Sequence, residues 1–371
     1  MRTRVTDMLG IEFPIFAFSH CRDVVAAVSR AGGMGVLGAL YFSPEELETE
    51  LKWIDDHVDG RPYGVDVVMP ASYAGADLDV DSPEDLVQRL QGMIPEGHRR
   101  FVEDLLAGHG VPPLSGDGDA GKVLLGWTDA TARPQVEVAL RHPIALLANA
   151  LGPPPADVVE AAHAKGVKVA ALASTPRHAT KQVEVGVDIV VAQGTEAGGH
   201  TGEISTMVLV PQVVDAVDVP VLAAGGIGDG RQMAAGLALG AEGVWTGSIW
   251  LAVEEADTPV LARERILRAT SRDTVRSRSW TGKPARLLRN EWTDAWESSE
   301  SPGTLPMPLQ FMLVSEALRR IGRSDAAELA TFPAGQIIGA VKRVRATRDV
   351  MFDLVEQYVE AKERLDRITG A

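Results

Sequence analysis

The stretch Asp188-Ile-Val-Val-Ala-Gln-Gly-Thr-Glu-Ala-Gly-Gly-His200-Thr-Gly202 sets an apolar run against a loop with four glycines in ten residues, Gln193–Gly202. A short apolar run without polar alternation reads as a strand buried on both faces, as in a parallel sheet covered by helices. Working outward, the same unit recurs. Strand-like runs begin near residues 14, 36, 64, 144, 168, 188, 220 and 243. Amphipathic stretches fall between them at Val24–Ala31, Pro44–His57, Ala156–Lys165, Pro176–Val185, Val208–Val217 and Arg231–Leu239. Ser43, Pro44 and Glu46 spell a helix start, with an N-cap, a proline in the first turn and a capping box. Eight alternating units predict a closed (β/α)8 TIM barrel, with an open doubly wound sheet as the alternative.

Residues 71–143 interrupt this rhythm. They are rich in Asp, Gly and Pro, with helices expected near Arg99–Ala107 and Pro134–Leu140. From residue 258 the chain reads as mainly helical, ending in the amphipathic Asp349–Arg367. The expected division is a barrel of residues 1–70 and 144–257, an insertion at 71–143 and a C-terminal part at 258–371. The last two would form a helical cap over the barrel mouth.

The 371 residues are 45% hydrophobic and 23% charged, enough apolar surface for a full core. Thirty-six basic against 51 acidic residues leave a net charge of −15, which disfavours nucleic acid and anionic membrane as partners. Cys21 is the sole cysteine, so no internal disulfide and no cysteine-based zinc site is expected. The first residues lack an apolar signal region and no apolar run reaches about 18 residues, giving a cytoplasmic expectation. Homo-oligomerisation is left open.

Three motifs do not carry chemistry. Gly33-Met-Gly35-Val-Leu-Gly38 has a dinucleotide-loop spelling, but it follows a helix and enters a strand, the reverse of what that loop requires. Gly116-Asp-Gly-Asp-Ala-Gly121-Lys122 lacks the following Ser or Thr of a phosphate loop, and its aspartates lack a suitably spaced Glu for calcium. Cys21, beside His20, reads as a small packed residue. The segment Arg263–Arg289 holds eight Arg and one Lys against Glu264 and Asp273. It reads either as a rim that attracts an anionic substrate or as a solvated helix face.

The motifs that remain sit after strands, at the barrel face where active sites of this architecture lie. His200 is the candidate acid or base in the glycine-rich loop. Ala224-Gly225-Gly226-Ile-Gly228 and Gly247-Ser248 follow the seventh and eighth strand runs, where barrels commonly hold phosphate on backbone N–H groups.

These residues resemble the nitronate monooxygenase family, formerly called 2-nitropropane dioxygenases, which are FMN-dependent barrels. Gln193–Gly202 is similar to the family's signature, and flavin-dependent enoyl-thioester reductases share it. Ala31–Gly38, Thr281–Arg286 and Ala334–Gln336 also resemble family segments. The resemblance implies FMN as cofactor, with no metal, and His200 as catalytic base or the group poised over the flavin. It implies that Gln193, Ala197, Gly198 and Gly199 contact FMN, and that Ala224, Gly225, Gly226, Gly247 and Ser248 form its phosphate cradle. Two positions near the flavin ring depart from the family pattern. Ala17-Phe18-Ser19 stands where the family has Ala-Pro-Met, and Asp66 stands where it often has Asn. A carboxylate there would disfavour an anionic reduced flavin. The expected reaction is oxidation of a small anionic nitronate, or of a nitroalkane, with O2. The alternatives are an enoyl- or acyl-thioester reductase or dehydrogenase using NAD(P)H, and a flavin-binding module without catalysis.

Overall fold

The computed structural model describes residues 1–70, 74, 83–114, 128–324, 326–330 and 332–370. The Gly116–Lys122 loop lies outside them. The strands are β1 (Ile15–Ser19), β2 (Met34–Gly38), β3 (Tyr63–Asp66), β4 (Leu146–Asn149), β5 (Lys168–Ala173), β6 (Ile189–Gln193), β7 (Gly199–His200), β8 (Val221–Ala224), β9 (Gly243–Thr246), β10 (Thr274–Ser277) and β11 (Ala285–Leu288). Eight of them, β1 to β6 with β8 and β9, form a closed parallel barrel. Closure comes from β9 pairing with β1, Ile15 opposite Val244 and Phe16 opposite Trp245.

Side-chain alternation along each strand divides the apolar residues into two cores. Phe16, Leu146, Ile189, Val191, Leu222 and Trp245 fill the barrel interior. Ile15, Val65, Leu147, Val190 and Val221 point outward and pack under the helices. A buried parallel strand needs apolar residues on both faces, which is why these runs show no period of two. The helix Pro44–His57 starts as expected: the Ser43 N–H donates to the Glu46 carboxylate at 2.8 Å, and the Glu46 N–H to Ser43 Oγ at 3.1 Å.

Two helices expected in the cap or insertion belong instead to the barrel's outer ring. Asp129–Ala139 buries Ala132, Val136, Val138 and Ala139 in the core beneath the helices. Thr347–Thr369 adds Met351 and Leu354 to that core and lies against the helices Gly230–Ala238 and Arg22–Arg30. Gly230 permits the approach, since a Cβ there would sit 2.1 Å from the backbone nitrogen of Tyr358. An amphipathic stripe announces a buried face but not which surface covers it, so the pattern alone could not assign these helices.

Four further helices of the two segments share a separate apolar cluster. Leu90 and Leu106, from Pro83–Gly92 and Glu96–Gly108, pack with Trp292 and Val314, from Glu291–Trp296 and Leu309–Gly322. The β10–β11 hairpin of the C-terminal part takes up β7, from the glycine-rich loop, into a small antiparallel sheet in the order β10-β11-β7. The basic segment Arg263–Arg289 is therefore not one helix face; it spans the helix Val260–Arg268 and the β10–β11 hairpin. No described helix is long and apolar enough to cross a membrane.

Candidate active site

A cavity of about 1460 Å³ opens at the C-terminal ends of the barrel strands and runs out beneath the cap helices. Its floor is aromatic, with Trp245 stacked on Phe16 and Phe18 at ring distances of 6.1 and 6.4 Å. Phe18 and Ser19 line the cavity at the end of β1. Ala17 does not. It is fully buried on the helix side, because alternation along β1 turns Phe16 and Phe18 inward and Ile15 and Ala17 outward.

The glycine-rich loop is fastened on three sides. The Glu196 carboxylate accepts from the Thr206 N–H and hydroxyl, both at 2.9 Å, at the start of the helix Thr206–Val214. A carboxylate is favoured there by the unpaired N–H groups of the first turn. Arg286 Nε donates to the Thr195 carbonyl at 2.8 Å. The Gln336 N–H donates to the Glu196 carbonyl at 2.9 Å. These ties leave little freedom in the loop, and the glycines allow its backbone to pack against its neighbours. A Cβ on Gly198 would sit 2.8 Å from the Gly335 nitrogen.

His200 lies on β7, which pairs with β11, Ala285 opposite His200 and Arg286 opposite Gly199. Its Nε2 is 2.7 Å from Thr281 Oγ1, and its ring stacks on Trp280 at 5.8 Å and 9°. Desolvation, and secondarily the Lys283 ammonium, push the His200 pKa down to about 4. The imidazole is therefore neutral across the physiological range and has a lone pair to accept a proton or hydrogen bond. Thr281, Trp280 and Lys283 are neighbours of the imidazole that were not among the candidate residues. The signal for Thr281 and Lys283 was the Thr281–Arg286 segment, whose distance from His200 along the chain conceals that hairpin pairing brings them together.

Opposite the loop, the turns after β8 and β9 meet at the cavity wall. Gly225 and Gly226 have φ of +101° and +70°, which favour glycine. Among the described residues, no group accepts a hydrogen bond from the N–H of Gly226, Gly247 or Ser248. These N–H groups, with Ala224 and Gly225 beside them, line the cavity, an arrangement that can hold an anion. Ser248 Oγ accepts from the Gly335 N–H at 2.8 Å, so its hydroxyl braces the wall. Gln193, Ala197, Gly198 and Gly199 line the same cavity.

Asp66 lines it too, and is only 3% exposed. Desolvation pushes its pKa up to about 7 from an ordinary 3.8. It is thus a titrating carboxyl near neutrality, in place of the fixed charge expected from sequence. A carboxyl whose pKa rises on folding binds protons more tightly in the folded state, so stability falls as pH rises from about 4 through 7. Asp66→Asn should therefore stabilise the ligand-free protein at pH 8, by up to about 4 kcal/mol at ~1.4 kcal/mol per pKa unit, and much less at pH 5. Urea unfolding at both pH values measures this; an equal effect at both would show that Asp66 keeps its ordinary pKa.

The basic segment does not form the cavity rim. Arg265 donates to the carbonyls of Ala327 and Ala330, Arg263 to those of Ala256 and Thr258, and Arg276 pairs with Glu203. Its arginines mostly fasten backbone, and Lys283 is the segment's one cation on the cavity wall among the described residues.

The family model for nitronate monooxygenase matches residues 2–357. The chain belongs to the nitronate monooxygenase family. It is 54% identical to a Mycobacterium tuberculosis protein that carries a monooxygenase name, over 98% of both chains. In structure it is similar to the nitroalkane oxidase of Streptomyces ansochromogenes, with a TM-score of 0.80, 29% identity and coverage of 97% and 99%. It is also similar to FabK from Thermotoga maritima, with a TM-score of 0.75, 28% identity and coverage of 99% of each chain. Nitronate monooxygenases are flavin enzymes, and this chain is an oxidoreductase of that type.

Proposed function

We propose that the protein is an FMN-dependent oxidoreductase that oxidises alkyl nitronates, or nitroalkanes, with O2. The observation that carries this reading is the cradle of N–H groups at Gly226, Gly247 and Ser248, unpaired among the described residues and opposite His200 across one cavity. Neutral dipoles bind phosphate without a cation, so the net charge of −15 does not oppose it. The residues present fit FMN: the cradle would hold its phosphate, and Phe18, Ser19, Asp66 and the Gln193–Gly199 loop would surround its ring. When bound, the flavin supplies the redox chemistry.

The chain's own groups do the rest. The cavity walls orient the substrate and exclude water. His200 accepts the α-proton of a neutral nitroalkane, and Thr281 and Trp280 hold the imidazole in place. A nitronate arrives without that proton and needs only binding and orientation. The large cavity also gives room for a longer substrate, and the likeness to FabK keeps a thioester reductase as the second reading.

The test is to purify the protein and release its chromophore by denaturation. One non-covalent FMN per chain is expected, together with anaerobic bleaching by propane-2-nitronate. A protein that is colourless and binds no added FMN would refute the proposal. Bleaching by NADH or NADPH with reoxidation by an enoyl thioester would favour the second reading.

A further inference from the structure

We propose that Lys283 is a substrate-anion receptor in this cavity, separate from the backbone N–H cradle, and a specificity-determining residue that binds the negative oxygen of a planar oxyanion substrate beside His200. The inference rests on the proposed reaction for its substrate class, but the binding site is argued from the residues themselves.

Lys283 lies in the turn between β10 and β11, half-buried at the cavity wall. The turn is rigidly held. The Gly282 N–H donates to the Arg278 carbonyl at 2.9 Å, and Arg278 Nη1 donates back to the Gly282 carbonyl at 3.0 Å. Gly282 has φ +83°, and a Cβ there would sit 2.0 Å from the Leu305 carbonyl, so the turn is pressed against the cap. Thr281 is fully buried, and its hydroxyl oxygen lies 2.7 Å from His200 Nε2 and 3.4 Å from the Lys283 backbone nitrogen. One turn thus fixes the imidazole and the base of the lysine together.

Among the described residues no carboxylate pairs with the ammonium, and desolvation alone shifts its pKa, downward. Of the acidic residues on the cavity wall, Glu196 is held by Thr206, Asp66 titrates near neutrality, and Asp257 is exposed at the mouth. A partly desolvated, unpaired cation is costly, and an anionic ligand offsets that cost. A charge-assisted hydrogen bond from Nζ would favour an anion over its neutral conjugate acid. His200, kept neutral, does not compete for the anion.

The experiment compares wild type, Lys283→Met and Lys283→Arg, with FMN content recorded for each. Nitrate serves as a non-reacting planar oxyanion, followed by thermal shift and by competition against propane-2-nitronate. The wild type should be stabilised by nitrate and inhibited competitively. Lys283→Met should fold with an equal or higher Tm in the absence of anion. It should lose about tenfold or more in nitrate affinity, and its preference for nitronate over neutral 2-nitropropane should drop by a similar factor. Lys283→Arg should retain most of the nitrate response. Equal nitrate binding by wild type and the Met variant would overturn the proposal, as would an unchanged substrate preference. A colourless protein that still shows the Lys283-dependent nitrate shift would leave the receptor standing and remove the flavin reaction.

Discussion

His200→Asn should keep FMN bound and lose roughly 10²–10⁴-fold in turnover of a neutral nitroalkane, the usual size of a general-base contribution. The proposed phosphate cradle lies in other turns, so cofactor content should not change. The loss should be far smaller with the pre-formed nitronate, which has already given up its proton. The imidazole is a base only when neutral, and its pKa is lowered to about 4. Wild-type kcat/KM on the neutral substrate should therefore stay up as pH falls through 6.5, as far as this group controls it, and decline only toward 4. Steady-state rates on both substrate forms from pH 4.5 to 8 decide the matter. Equal losses on the two forms would make His200 a positioning residue rather than a base.

Gly247→Val should be the most damaging change to cofactor binding that leaves the fold intact. A Cβ at Gly247 meets nothing within 4 Å, and its φ of −135° is not the left-handed conformation that favours glycine, so the side chain would project into open space at the cradle. Filling space that a phosphate must occupy costs about 1–3 kcal/mol, or roughly 10- to 100-fold in affinity. FMN titration by fluorescence quenching measures this, with the Tm of the ligand-free protein as the control for folding. Gly226 is a less clean probe. Its φ of +70° would strain any β-branched residue, so a loss there would mix backbone strain with crowding. Normal FMN affinity in the Gly247→Val protein would move the phosphate to another wall.

The barrel was legible because its strands are buried on both faces. The expected starts near 188, 220 and 243 correspond to strands at Ile189, Val221 and Gly243. The glycine turns were legible for a related reason: positive φ at Gly225 and Gly226 is a requirement that the residue type itself announces. What sequence could not supply was long-range pairing. Nothing in Gly199-His200 marks a two-residue strand, and only its pairing with β11 brings Thr281 and Lys283 beside the imidazole. The charge state of Asp66 was equally hidden, since it follows from desolvation and not from residue type. Ala17 was misplaced by one step of the pleat.

The closing of the ring by β9 on β1, and by the helix Thr347–Thr369 against Arg22–Arg30, bears on how the chain is made. During synthesis β1 has an unpaired edge until residues beyond Thr246 have left the ribosome, more than 200 residues later. The surface of Arg22–Arg30 that Thr347–Thr369 covers waits longer still. Such non-local closure slows folding and leaves apolar surface exposed to aggregation until the ring is shut.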